Sequence, residues 1–195
     1  MTPPSHFRRT SMAVPRDYAM LAANGFDQLN SITGVFRFLV PDEIDNFDWP
    51  VDKLESFVPF AVEPSQATLC WQVESKKVYH SLRDYYRALW FAPSFNAAVY
   101  RVVLEDLTST IVAENEDMSL PQFATQVRQA VALFDSCWKP EWTRTIESAL
   151  ATPPTKNPDG SLSYIARKHA RQLLANDPTF AELGEEIDHL KPDYR

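Results

Sequence analysis

Apolar residues recur at helical spacing at the start of the chain and through its second half, with strand-like alternation between. From Pro15 onward, Tyr18, Leu21 and Ala22 share one helical face, and Asn24-Gly25 predicts the stop. Pro15 suits a first turn, where a missing N–H costs nothing. After Gly34 the period changes to two. Phe36, Phe38 and Val40 point one way and Val35, Arg37 and Leu39 the other, until Pro41 ends the strand. Val58, Phe60 and Val62 predict a second strand, which Pro59 marks as an edge or a bulge. A turn at 63–66 leads to a third, with Leu69, Trp71 and Val73 alternating against Thr68, Cys70 and Gln72, and Val78–His80 forms a short fourth. Links this short favour antiparallel neighbours, because parallel ones need long crossovers.

Ser81 and Asp84 have the spacing of a capping box and predict a helix carrying Leu82, Tyr85, Tyr86 and Leu89, broken at 90–93. Ser94 caps the next, with Phe95, Ala98, Val99, Val102 and Val103 on one face. Residues 108–117 form a polar boundary, and 118–195 read as wholly helical. Helices are predicted from Ser119-Pro121, from Pro140, over 164–175, and from Asp177-Pro178 with Phe180, Leu183, Ile187 and Leu190 in register. A proline-rich loop at 152–161 turns at Asp159-Gly160. The expected class is α+β: a small, mainly antiparallel sheet of three to five strands packed with helices, then an α-helical C-terminal extension. The expected divisions are a flexible arm at 1–13, an α+β domain at 14–117 and a helical region at 118–195.

Composition narrows the function more than the fold. Of 195 residues, 45% are hydrophobic and 23% charged, which suits a packed globular chain rather than a disordered one. The formal net charge of −7 disfavours nucleic acid as a ligand, since phosphate binding needs clustered Lys and Arg. No apolar run approaches the ~20 residues that span a bilayer, and the basic N-terminus has no apolar stretch behind it. A cytoplasmic location is the expectation. Cys70 and Cys137 form no CxxC pair and read as free thiols, although one disulfide between them is open.

Catalytic signatures are few. With four glycines the chain has neither GxGxxG nor a P-loop, and His6, His80, His169 and His189 show no metal-ligand spacing, so no cofactor is expected. The best nucleophile pair is Cys70 with His80, if the two meet across adjacent strands. The densest chemistry is the stretch 42–55, where Asp42, Glu43, Asp45, Asp48, Asp52 and Glu55 face a single Lys53, interrupted by Ile44, Phe47, Trp49 and Leu54. One reading is a solvated acidic loop pinned by its apolar residues. The other is a docking surface for a basic partner with Trp49 as anchor.

An ordered set of motifs then adds a family resemblance. VPRDYAMLAANG (14–25), GVFRFLVPDEI (34–44), FVPFAV (57–62), ATLCWQV (67–73) and APSFNAAVYRVVL (92–104) follow one another as they do in the SUKH superfamily, shared by bacterial toxin-immunity proteins and a fungal cell-wall-regulator domain. The chain resembles that family over about 14–112. It departs at Glu63-Pro64-Ser65-Gln66, where the family often has glycine and aspartate, and in its tail from 118. The resemblance implies a non-enzymatic immunity protein that caps a protein toxin, such as a basic nuclease-type effector met by the acids of 42–55. A regulatory or scaffolding domain of the same fold is the alternative, and a small enzyme using Cys70 or the carboxylates is the third.

Overall fold

The computed structural model describes residues 14–24, 26–48, 54, 56–82, 87–109, 119–158, 160–181 and 184–188. The arm at 1–13, Gly25, Trp49, Asp52, Glu55, Asp84 and most of the 108–117 boundary lie outside them.

The first helix, α1 (Arg16–Asn24), buries Tyr18 and Leu21 as its spacing requires, and a single turn, α2 (Asp27–Asn30), follows. Of the strand expected over 34–40, only β1 (Arg37–Phe38) pairs. It lies at the sheet edge, with Arg37 opposite Val62 and Phe38 opposite Ala61. Asn30 fastens its far side, accepting the Phe38 N–H at 2.6 Å and donating to Phe38 O at 3.0 Å. Pro41 then begins a short helix, α3 (Pro41–Asp45).

Three strands arrive as their alternation predicts: β2 (Phe57–Val62), β3 (Thr68–Gln72) and β4 (Val78–Ser81), each antiparallel to the next. The register between β2 and β3 slips between Pro59 and Ala61, the bulge that a proline without an N–H invites. The helix expected after Ser81 is corrected. Ser81 ends β4, and Arg87–Ala92 is a strand, β5, hydrogen-bonded to β4 on one side. Its aromatic and aliphatic residues suit a pleated, two-sided environment, and neighbours on both flanks override the helical spacing.

The helix capped by Ser94, α4 (Phe95–Asp106), is almost wholly buried. In the tail, α5 (Leu120–Ala132) begins at a reciprocal Ser119–Gln122 capping box and α6 (Pro140–Leu150) at Pro140, both as predicted. The tail is not wholly helical, however. Thr155–Lys156 (β6) and Leu162–Ser163 (β7) form a small hairpin, with Gly160 at φ +93° in its turn. Helix α7 starts at Arg167 and runs to Asn176. The expected last helix shrinks to one 3₁₀ turn (Pro178–Phe180), and Gly184 lies in the left-handed region at φ +98°. Beyond it Glu186–Asp188 becomes β8, which pairs antiparallel with β5.

The α+β class therefore holds, with a sheet one strand wider than expected, in the order β1-β2-β3-β4-β5-β8. The sixth strand comes from the tail, and so does much of the core. Tyr100 of α4 stacks on Trp142 at 4.6 Å between ring centroids, and Phe180 reaches Trp90 of β5 at 6.3 Å. Sheet and tail share one continuous buried cluster.

Candidate functional site

The acidic stretch reaches the surface through α3. Asp42 and Asp48 are exposed, and Asp45 is half-buried. Glu43 is already engaged, for Arg37 donates to both of its carboxylate oxygens at 2.7 and 2.9 Å, and the Val40 N–H donates at 3.0 Å. Partial burial opposes ionisation of Glu43, but these donors outweigh it and hold the carboxyl below its ordinary range. Trp49, Asp52 and Glu55 lie outside the described residues, so the acids seen together are Asp42, Glu43, Asp45 and Asp48. Beside them stands Val40, 39% exposed, which with Val35, 45% exposed, makes up the large exposed hydrophobic side chains among the described residues.

The Cys70–His80 pairing is overturned. His80 sits opposite Leu69 and Cys70 opposite Tyr79, so the register sends the thiol and the imidazole to opposite faces of the sheet. Cys70 is fully buried, its Sγ 3.2 Å from Thr68 Oγ1. His80 Nε2 lies 3.0 Å from Glu63 Oε1, with Phe36 and Phe91 packed edge-on. Burial, with Arg101 adding to it, keeps the imidazole below its ordinary pKa against the pull of Glu63.

A second place has more developed chemistry, and its residues were not singled out from the sequence. Helix α7 packs on α4, and the segment entering it is tied to the end of α4 by two N–H groups, Tyr164 and Ile165, that donate to Leu107 O at 2.9 and 3.2 Å. Between these helices and the 34–36 segment lies a cleft of about 380 Å³. Phe36, Val102 and Leu174 give it an apolar lining, and Glu105, Asp106, Arg167 and Arg171 give it charge. Glu105 is neutralised by Arg101, whose Nε lies 2.8 Å away while its guanidinium covers the Phe91 ring. Asp106 is only 8% exposed. It takes backbone hydrogen bonds from Gly34 and Val35, yet its Oδ2 has no partner among the described residues. Burial, more than these donors can offset, pushes its carboxyl up to about 7. Arg167 and Arg171 form no ion pair with any described residue.

One signal for Asp106 was present in the sequence. It follows Val99 by seven residues, Val102 by four and Val103 by three, so an acid stands in the apolar stripe of a helix. Arg167 and Arg171, four apart, share a face in the same way. Among the described residues no group of three or more His, Cys, Asp or Glu is placed to hold a metal ion, and no helix is long and apolar enough to cross a membrane. Comparison with protein-family models, curated proteins and solved structures gave no match.

Proposed function

We propose that this chain is a cytoplasmic immunity-type protein that binds a protein toxin and neutralises it by covering its active surface, with no bond made or broken. The observation that carries the reading is the surface around α3. The exposed Val40 adjoins the Arg37–Glu43 pair, its own N–H bonded to Glu43, and stands beside Asp42 and Asp48. Apolar anchors within a charged rim are the anatomy of a specific protein contact. The acids favour a partner with a basic face, such as a nuclease whose cleft is built to hold phosphates, and they would speed its approach. The ordered SUKH-like motifs lead to the same class of partner.

Co-expression of the chain with the product of each neighbouring gene tests this. One product should be toxic alone, harmless beside this chain, and recovered in complex with it. Val40→Glu should abolish both rescue and complex while the protein still folds, because Val40 does not belong to the core. Rescue by no neighbour pair, or full rescue by that variant, overturns the reading.

A further inference from the structure

The cleft between α4 and α7 plays no part in that function. Its charges are out of balance, because Glu105 is spent on Arg101 while the guanidinium groups of Arg167 and Arg171 stand free of described partners one helical turn apart. In the same cleft an acid almost wholly withdrawn from water keeps one oxygen without a donor among the described residues. Unsatisfied buried oxygens are uncommon in folded proteins because each carries a desolvation cost. A purely structural aspartate, there only to hold the Gly34–Val35 turn, explains one oxygen of Asp106 and leaves both the other and the arginine pair unexplained.

We propose that this cleft is a binding site for a small organic carboxylate that also carries a hydrogen-bond donor. The carboxylate lies against Arg167 and Arg171, whose planar forks match its two oxygens. The donor, an amine, hydroxyl or amide N–H, satisfies Asp106 Oδ2, and the ligand's apolar body rests on Phe36, Val102 and Leu174. At about 380 Å³ the space is that of a small-molecule pocket. A phosphate dianion fits less well, since Asp106 lines the same cleft and, when ionised, repels a second negative charge. The chemistry required is that of an amino acid, either free or as the C-terminal residue of another chain.

The test is an NMR titration of the full chain with L-leucine, L-phenylalanine, N-acetyl-leucyl-phenylalanine and the carboxamide of that dipeptide, following the backbone amides of Gly34, Val35 and Ala170. Saturable shifts with at least one carboxylate, and none with the carboxamide, are expected. Binding by the free amino acids alone identifies a metabolite, and binding by the acetylated dipeptide alone identifies a chain terminus. Arg167→Ala with Arg171→Ala should weaken the best probe by about tenfold to a hundredfold, the weight of a charge-assisted contact. Both positions are solvent-facing, so the fold should be unaffected. Asp106→Asn should weaken the same probe without abolishing it, since the amide oxygen stays with Gly34 and Val35, an NH2 replaces the free acceptor, and the arginine contacts remain. No shift with any of the carboxylates, equal binding of the carboxamide, or unchanged affinity in the arginine double variant each overturns the proposal.

Discussion

On α3 the carboxylates face water or an arginine. Asp42 and Asp48 are exposed, and Glu43 is satisfied by Arg37 and by the backbone of Val40. At the end of α4, Asp106 carries the same group behind a wall of protein, with one oxygen bonded and the other without a partner among the described residues. The first set costs the fold little, acts over a distance set by the Debye length of about 8 Å at physiological salt, and suits recognition of another macromolecule. The second costs the fold a great deal when ionised, acts only at contact, and suits a small ligand that enters the cleft. What separates the two is solvent access rather than residue type.

The largest effect that can break this contrast comes from Asp106. Its folded-state pKa of about 7 lies above the ordinary 3.8, so between those values the folded protein holds a proton that the unfolded chain has lost. Stability therefore falls as pH rises through this window, and the full contribution of the neutral acid is present only below about pH 4. At about 1.4 kcal/mol for each pH unit, the loss by pH 8 is bounded near 4 kcal/mol. Asp106→Asn keeps an acceptor for Gly34 and Val35 and cannot ionise. Urea unfolding should find it more stable than the parent at pH 8, by up to that amount, with the difference gone at pH 4. Equal pH profiles for the two proteins would mean that Asp106 is solvated and that the contrast with α3 is empty.

Asp177 sharpens the same comparison from the other side. It too is withdrawn from water, and burial alone would raise its pKa. Hydrogen bonds from the Thr179 hydroxyl, Trp142 Nε1 at 2.7 Å, the Thr179 N–H at 2.9 Å and Lys139 overcome burial and hold it at about 2. Here the folded value lies below the ordinary one, so the stabilisation is present above about pH 4 and is lost as pH falls toward 2. Asp177→Asn should cost about 2 kcal/mol at pH 7 and almost nothing at pH 2, read by thermal unfolding across that range. Buried acids thus move in opposite directions according to whether every oxygen has a donor.

Much of this architecture was legible before any coordinate, and the failures have definite causes. Alternation in 57–62 and 67–73 and the caps at Ser94, Ser119 and Pro140 are local signals, and the structure keeps them. Leu82, Tyr85, Tyr86 and Leu89 do fit a helix, but Ala88, Trp90 and Ala92 fit a strand equally, and pairing with the distant Glu186–Asp188 decides. The helix expected through Phe180, Leu183, Ile187 and Leu190 stops at Phe180, and Ile187 instead pairs across from Ala88 of β5. For the site, composition drew attention to the dense acids of 42–55, whereas the cleft depends on three charges from positions 106, 167 and 171 that only the docking of α7 on α4 brings together. The Cys70–His80 idea failed on strand register, which sequence proximity does not fix.

The smallest effect on stability should come from the surface of α3. Reversing Asp42 and Asp48 to Lys removes no core contact, so unfolding free energy should change by less than about 1 kcal/mol, most of it from the place of Asp42 in the first helical turn. Association with a basic partner is where the change should be seen. Two reversals alter the local charge by four, so the association rate at low salt should drop by an order of magnitude or so while dissociation stays nearly constant. Raising ionic strength should bring parent and variant together, since screening removes only the long-range part. If instead dissociation quickens and salt makes no difference, Asp42 and Asp48 sit inside the contact rather than around it. The α3 acids would then share with Asp106 the desolvated role that the comparison assigns to the cleft alone.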